Sequence, residues 1–196
     1  MNHFPKIIGV AGVARAGKDT FFKYISECVD VSISRIAFAD ELKKDLNNFM
    51  KAKAGISPFT NVTEEKNIIR PMLVAYGCMM RDISNGRYWV SKIDTLIKQS
   101  YDPYFCITDV RFPNEVDYIQ KNSGIVVHLS RLDENGKTIP PANEEEEAQD
   151  PIIKEKADYC ISWNTFDSDD EKYKSFVRGF LATANLPVKS SLDSLA

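Results

Sequence analysis

Apolar positions along the chain fall into two alternating patterns, short continuous runs and stripes at helical spacing. KIIGV (6–10), ISRIAF (33–38), YFCITDV (104–110), GIVVHLS (124–130) and DYCISW (158–163) are runs with β-branched or aromatic content, the signature of buried strands. Between them the period lengthens. Residues 18–29 space Phe21, Phe22, Ile25, Cys28 and Val29 along one helical face, and 39–52 do the same with Leu42, Leu46, Phe49 and Met50, with Asp40 as the expected N-cap. After a loop at 55–63, Thr63 followed by acidic residues predicts a helix start, with Ile68, Met72, Ala75 and Tyr76 as its apolar side. Trp89, Ile93, Leu96 and Ile97 predict a helix over 88–100. Pro113 in a first turn predicts one over 113–121, and Tyr173, Phe176, Val177 and Phe180 a last one over 169–183.

Strands alternating with helices predict an α/β domain over 1–184: a mostly parallel five-stranded sheet with helices on both faces. The polar run 132–151, LDENGKTIPPANEEEEAQDP, predicts a long loop without regular structure, and 185–196 a mobile tail. Composition narrows the partners. With 43% apolar and 27% charged residues and a net charge of -3, the chain has the make-up of a soluble domain and no basic footprint for nucleic acid. No apolar window reaches membrane-spanning length and MNHFPK opens no secretory pattern, so a cytoplasmic protein without a membrane partner is expected. The four cysteines, Cys28, Cys78, Cys106 and Cys160, are too scattered for a metal site and are expected as reduced thiols.

The chemistry concentrates in two places. Gly12-Val-Ala-Arg-Ala-Gly17-Lys18 satisfies GxxxxGK between a predicted strand and a predicted helix, the setting in which backbone N–H groups and a helix N-terminus cradle phosphate. Lys18 would reach the outer phosphates, and Arg15 lies inside the loop. Asp19 stands where Ser or Thr normally meets Mg²⁺, with Thr20 one residue later; Asp19 as metal ligand and Asp19 as first-turn acid both fit. The second place is ITDVRFPNE (107–115). It sets Asp109 at the carboxyl end of an interior strand, where open parallel sheets bind ligands, and Arg111 two residues on. Mg²⁺, an arginine, or both would satisfy Asp109. A structural Asp109–Arg111 pair is the plainer reading.

GVARAGKDT, FADELKK, IIRPMLVAYG with RYWV, CITDVRFPNE and IVVHLSR occur in the order found in bacteriophage-type deoxynucleoside monophosphate kinases, and the chain resembles that family over about residues 6–165. The resemblance implies a three-layer P-loop NTPase fold with a helical acceptor-binding insertion (about 39–101) and a lid (about 131–151). It implies phosphoryl transfer from ATP, with Mg²⁺, to a nucleoside or deoxynucleoside monophosphate in the host cytoplasm; the alternatives are a kinase of another small metabolite such as dephospho-coenzyme A and a non-catalytic nucleotide-binding regulator. Gly12, Arg15, Gly17, Lys18, Asp19 and Thr20 match the ATP side; Lys43, Arg70, Arg87, Trp89, Asp109 and Arg111 match the acceptor side. Asp19 and Asp109 are the candidate metal ligands, and Lys18, Arg111 and the lid arginine Arg131 the candidate catalytic cations. Trp89 suits either base stacking or a helix core. Members tend to carry glutamine where this chain has Val74. A homodimer is the candidate assembly.

Overall fold

All five apolar runs become strands. In the computed structural model, which describes residues 6–164 and 170–189, they are β1 (Ile7–Ala11), β2 (Ile33–Ile36), β3 (Tyr104–Val110), β4 (Ile125–Leu132) and β5 (Tyr159–Asn164). The helices are α1 (Lys18–Cys28), α2 (Phe38–Ala54), α3 (Thr63–Ile83), α4 (Arg87–Gln99), α5 (Pro113–Lys121), α6 (Glu144–Lys156) and α7 (Asp170–Thr183). The sheet order is β2-β3-β1-β4-β5, with β1 parallel to both β3 and β4, and β4 parallel to β5. Connections leave β1 towards one edge and return on its other side. The loop after β1 therefore lies at the switch point, where strand carboxyl ends leave a crevice.

Two units separate: Met1–Arg35 with Tyr101–Ala196, and Ile36–Ser100. The first carries the sheet. Alternate strand residues Ile8, Val10, Cys106, Val127, Leu129 and Trp163 pack against Phe21, Tyr24 and Ile25 of α1 and Val177, Phe180 and Leu181 of α7. The opposite face meets α5 and α6. A Cβ at Gly9 would lie 2.6 Å from Ile119 of α5, so glycine lets that helix settle on the sheet, and His128 Nε2 lies 2.9 Å from Asp150 of α6. Successive strand residues face opposite layers, so the continuous apolar runs read from sequence become the middle of a three-layer α/β architecture. All four cysteines are free thiols, Cys28 and Cys106 in the core and Cys78 and Cys160 exposed.

The second unit is three helices around Leu46, Met50 and Ile69, flanked by Leu42, Ile56, Leu73 and Tyr76. Here one expected stripe is wrong by a residue. Ile68 is 67% exposed and Met72 is exposed, while Ile69 is buried, so the inner face of α3 runs Ile69, Leu73, Tyr76. Phe49, expected inside on α2, is likewise exposed. Asp40 is not the cap of α2: β2 ends at Ile36, Ala37 takes the N-cap place in extended conformation, and Asp40 sits in the first turn, where its charge suits the helix dipole.

Two further expectations fail. The run 132–151 is not structureless: Thr138 bridges back to Leu132 across a turn at Asp133–Gly136, and α6 begins at Glu144 with Asn143 as its cap. The first residues of the tail are docked, since Val188 bridges Val29 and Leu186 is buried. Residues 190–196, His3 and position 169 lie outside the described residues.

Candidate functional site: a phosphate cradle and its carboxylate

The loop between β1 and α1 is held by its two outer glycines. Gly12 has φ 127° and a Cβ there would stand 2.3 Å from the Leu129 carbonyl oxygen. Gly17 caps α1 at φ 90°, where a Cβ would meet the Trp163 ring at 2.6 Å. Both the dihedral and the space demand glycine. Arg15, at φ 63°, adopts the left-handed conformation without that licence, a strained position of the kind found in ligand-binding loops. The loop is clamped from below, where Trp163 donates its indole N–H to the Ala16 carbonyl at 2.9 Å. Inside it, the Lys18 ammonium donates to the carbonyls of Gly12 (2.6 Å) and Val13 (2.8 Å). Burial and the nearby Arg111 charge lower the Lys18 pKa, against the opposing pull of Glu146, Asp109 and Asp19.

The end of β3 supplies the next group. From Gly9 to Ala11, β1 advances two residues while β3 advances three, from Ile107 to Val110. This bulge re-aims the strand end that carries Asp109 and Arg111. Glu115, fully buried at the third position of α5, then fixes the turn: its carboxylate accepts from the N–H of Arg111 (2.8 Å) and of Phe112 (3.1 Å). From this support the Arg111 guanidinium reaches Glu146 Oε1 at 3.2 Å.

Glu146 was not anticipated. It is the third residue of α6 and the only one of the four consecutive glutamates that is buried, at 8% exposure. Both its oxygens accept from the N–H of Ala14 in the loop, at 3.1 and 3.0 Å; Oε2 also accepts from Ala142 N–H at 3.0 Å and Oε1 from Arg111. Burial opposes its ionisation. The N–H groups of Ala14 and Ala142 and the charges of Arg111 and Lys18 outweigh that and hold its carboxyl below the usual range.

Arg131 and the two candidate metal ligands surround this core. Arg131, near the end of β4, donates to the Arg15 carbonyl at 3.3 Å, so it braces the loop. Asp19, in the first turn of α1, is 84% exposed and lies 3.6 Å from Arg35; Thr20 beside it is exposed. Asp109 is half-buried, and both carboxylates act on Lys18. Among the described residues no three His, Cys, Asp or Glu side chains cluster to form a metal cage. One or two hard oxygen donors beside a phosphate cradle fit Mg²⁺, which keeps its waters and arrives with the phosphates it binds. Asp19 and Asp109 are the candidate donors for it.

The remaining candidates lie in the helical unit. Lys43 is on α2, 3.8 Å from Asp40 and over the Phe59 ring at 5.6 Å; Arg70 is exposed on α3; Arg87 opens α4 and donates to the Ser84 carbonyl at 3.2 Å. Of the two readings of Trp89 the core one fits: it is 2% exposed, donates to the Gly77 carbonyl at 3.1 Å and lies edge-on to Tyr76 and Tyr88. Val74 is exposed. Asp45 ties the three helices, accepting from Tyr76 (3.2 Å), Tyr88 (2.8 Å) and Lys92 (2.6 Å). Burial works against its charge, but the Lys92 and Tyr88 bonds prevail and its carboxyl is lowered, while burial and these neighbours push Tyr76 up to about 12.

Asp45 and Glu146 are expected to make the protein acid-sensitive in a defined direction. Both folded pKa values lie below the ordinary ones, about 3.9 for Asp and 4.3 for Glu. Their stabilisation is therefore complete above those ordinary values and lost as the pH falls through the depressed folded ones. The urea midpoint is expected to hold from neutrality to about pH 5 and to drop below it, less steeply in an Asp45→Asn, Glu146→Gln double variant. An acid limb equally steep in that variant would remove these two carboxylates as its cause.

No protein-family model matches the chain, and no curated protein matches it in sequence. Solved structures resemble it in fold. Dephospho-CoA kinase from Campylobacter jejuni is 16% identical, with 92% of this chain and 99% of that one covered at a TM-score of 0.49. A gluconokinase from Sinorhizobium meliloti 1021 is 16% identical over 94% and 96% (TM-score 0.47). Shikimate kinase from Bacteroides thetaiotaomicron is 14% identical over 92% and 98% (TM-score 0.45). The sheet order makes this chain a three-layer α/β fold, with the GxxxxGK loop at its switch point and Lys18 opening α1. Among the described residues no helix is long and apolar enough to cross a membrane.

Proposed function

We propose that the chain transfers a phosphoryl group from ATP to a nucleoside or deoxynucleoside monophosphate, giving the diphosphate and ADP. One observation carries the donor half of this reading. An amide of the glycine loop, the Arg111 guanidinium and the Lys18 charge all act on one anionic group, the Glu146 carboxylate, so the loop is built to hold an anion. The acceptor half rests on the resemblance, through FADELKK, IIRPMLVAYG, RYWV and DVRFPNE. It gives Lys43, Arg70 and Arg87 the task of contacting the monophosphate.

The residues suit the chemistry. Transfer between phosphates needs in-line positioning and neutralised charge more than covalent help. Lys18 supplies a point charge at the transferring group and Arg111 a planar pair of donors, fixed by Glu115. Arg131 would hold the loop shut over the donor. Bound Mg²⁺ would offset the charge of the phosphate oxygens. No side-chain base is required, because the attacking oxygen of a monophosphate is already ionised at neutral pH.

The deciding experiment is a coupled ADP-release assay with MgATP and each common ribo- and deoxyribonucleoside monophosphate. Release strongly stimulated by one of them is expected. Release indifferent to all of them would end the monophosphate reading. In the same assay Arg111→Ala should lower kcat/KM for the preferred monophosphate by about 10²-fold, the usual cost of removing one donor to transition-state charge. An unchanged value would take Arg111 out of the transfer step.

A further inference from the structure

We propose that Glu146 is an internal stand-in for a nucleotide phosphate: with no nucleotide bound its carboxylate fills the anion seat of the loop, and nucleotide must expel it to bind. The inference rests on the phosphate-cradle reading above and adds to it a competitor within the chain.

The geometry is specific. A carboxylate presents two oxygens, and here both face the Ala14 N–H, at 3.1 and 3.0 Å, while one also takes the Arg111 guanidinium at 3.2 Å. These are donors that a phosphate oxygen would use, and they cannot serve two anions at full strength. The contact is also long-range: 132 residues separate Ala14 from Glu146, so helix propensity alone does not account for it. The second oxygen accepts from Ala142, in the segment leading into α6, and Asn143 caps the helix by accepting from Glu146 N–H at 2.8 Å. The carboxylate thus ties the first turn of α6 to the loop. Glu144, Glu145 and Glu147 around it are exposed, so their charges are solvated and only Glu146 is committed to the seat.

Expelling Glu146 has a structural consequence. A buried carboxylate parted from its donors must reach water, and since it sits in the first turn of α6, that turn must shift or fray. Nucleotide arrival would then be coupled to release of the segment at 142–146 from the loop. The cradle is guarded when empty and the guard is opened by the ligand's own charge.

The test uses the full-length chain and titrates MgATP, with adenosine as a probe that lacks phosphate. Glu146→Gln keeps the shape and an oxygen to accept from Ala142 N–H but removes the charge, and it is expected to bind MgATP about tenfold more tightly while binding adenosine as the wild type does. Were Glu146 only a strut for the loop, the variant would bind MgATP equally or more weakly, and the inference would fall while the cradle reading stood. If neither protein binds MgATP, both fall. A wild-type measurement guards against a poorly folded variant. In hydrogen exchange, the Ala142 amide should lose protection when MgATP saturates the site, and retained or increased protection would overturn the proposal.

Discussion

Lys18→Ala is expected to lower kcat for ADP release by about 10³-fold with the fold retained, because on the proposed reading it deletes the charge that would face the transferring phosphoryl group. In the structure the ammonium bridges the Gly12 and Val13 carbonyls, so it spans the mouth of the loop instead of reaching into solvent. Losing two charge-assisted hydrogen bonds costs about 1–3 kcal/mol, which a folded domain survives as a lower urea midpoint. Lys18→Arg preserves the charge but replaces a compact ammonium with a planar fork too wide for two carbonyls of one tight loop. It should rescue the midpoint more than the rate. A lysine-free loop that transfers phosphate at close to the wild-type rate would show that the charge at the donor comes from elsewhere.

The glycine loop is legible in the sequence because it is local. The loop, its lysine and the strand before it occupy residues 7–18, and each glycine there has a nearby steric cause. β3 and α5 were readable to the residue, because YFCITDV directly follows Pro103, and Pro113 has the fixed φ and missing N–H that suit a helix's first position. The inner face of α3 was not readable. Apolar residues surround that helix, so Ile68–Met72 and Ile69–Leu73–Tyr76 fit a period of 3.6 equally well, and only packing against Leu46 and Met50 selects between them.

The missed carboxylates have a different cause. Glutamate is read by default as solvated, and NEEEE as a loop. Yet Asn143 three residues before Glu146, and Phe112 and Pro113 just before Glu115, carry the spacing of a helix start whose third residue turns back on the backbone. That signal marks both helix starts. It does not reveal that Glu146 would meet Ala14, since that contact joins segments 132 positions apart through the sheet order. The docking of Leu186 and Val188 was hidden for the same reason.

Trp163 shows how the core and the cradle are one structure, and its removal is expected to have the largest effect on stability. The ring is buried against Phe21 and Tyr173, edge-on at 5.6 and 5.2 Å, under Gly17, and its N–H holds the Ala16 carbonyl. Trp163→Ala deletes that floor and should cost about 3–5 kcal/mol, read as a fall in the urea midpoint. The cavity lies directly beneath the loop, so MgATP affinity should fall with it. Trp163→Phe separates the two contributions: a ring remains for Phe21 and Tyr173, but the Ala16 carbonyl loses its donor, a change of about 1 kcal/mol. If the loop depends on that hydrogen bond, the phenylalanine variant keeps most of its stability and loses MgATP affinity out of proportion. If stability and affinity fall in step in both variants, Trp163 supports the loop through packing alone, and its hydrogen bond plays no separate part in shaping the phosphate seat.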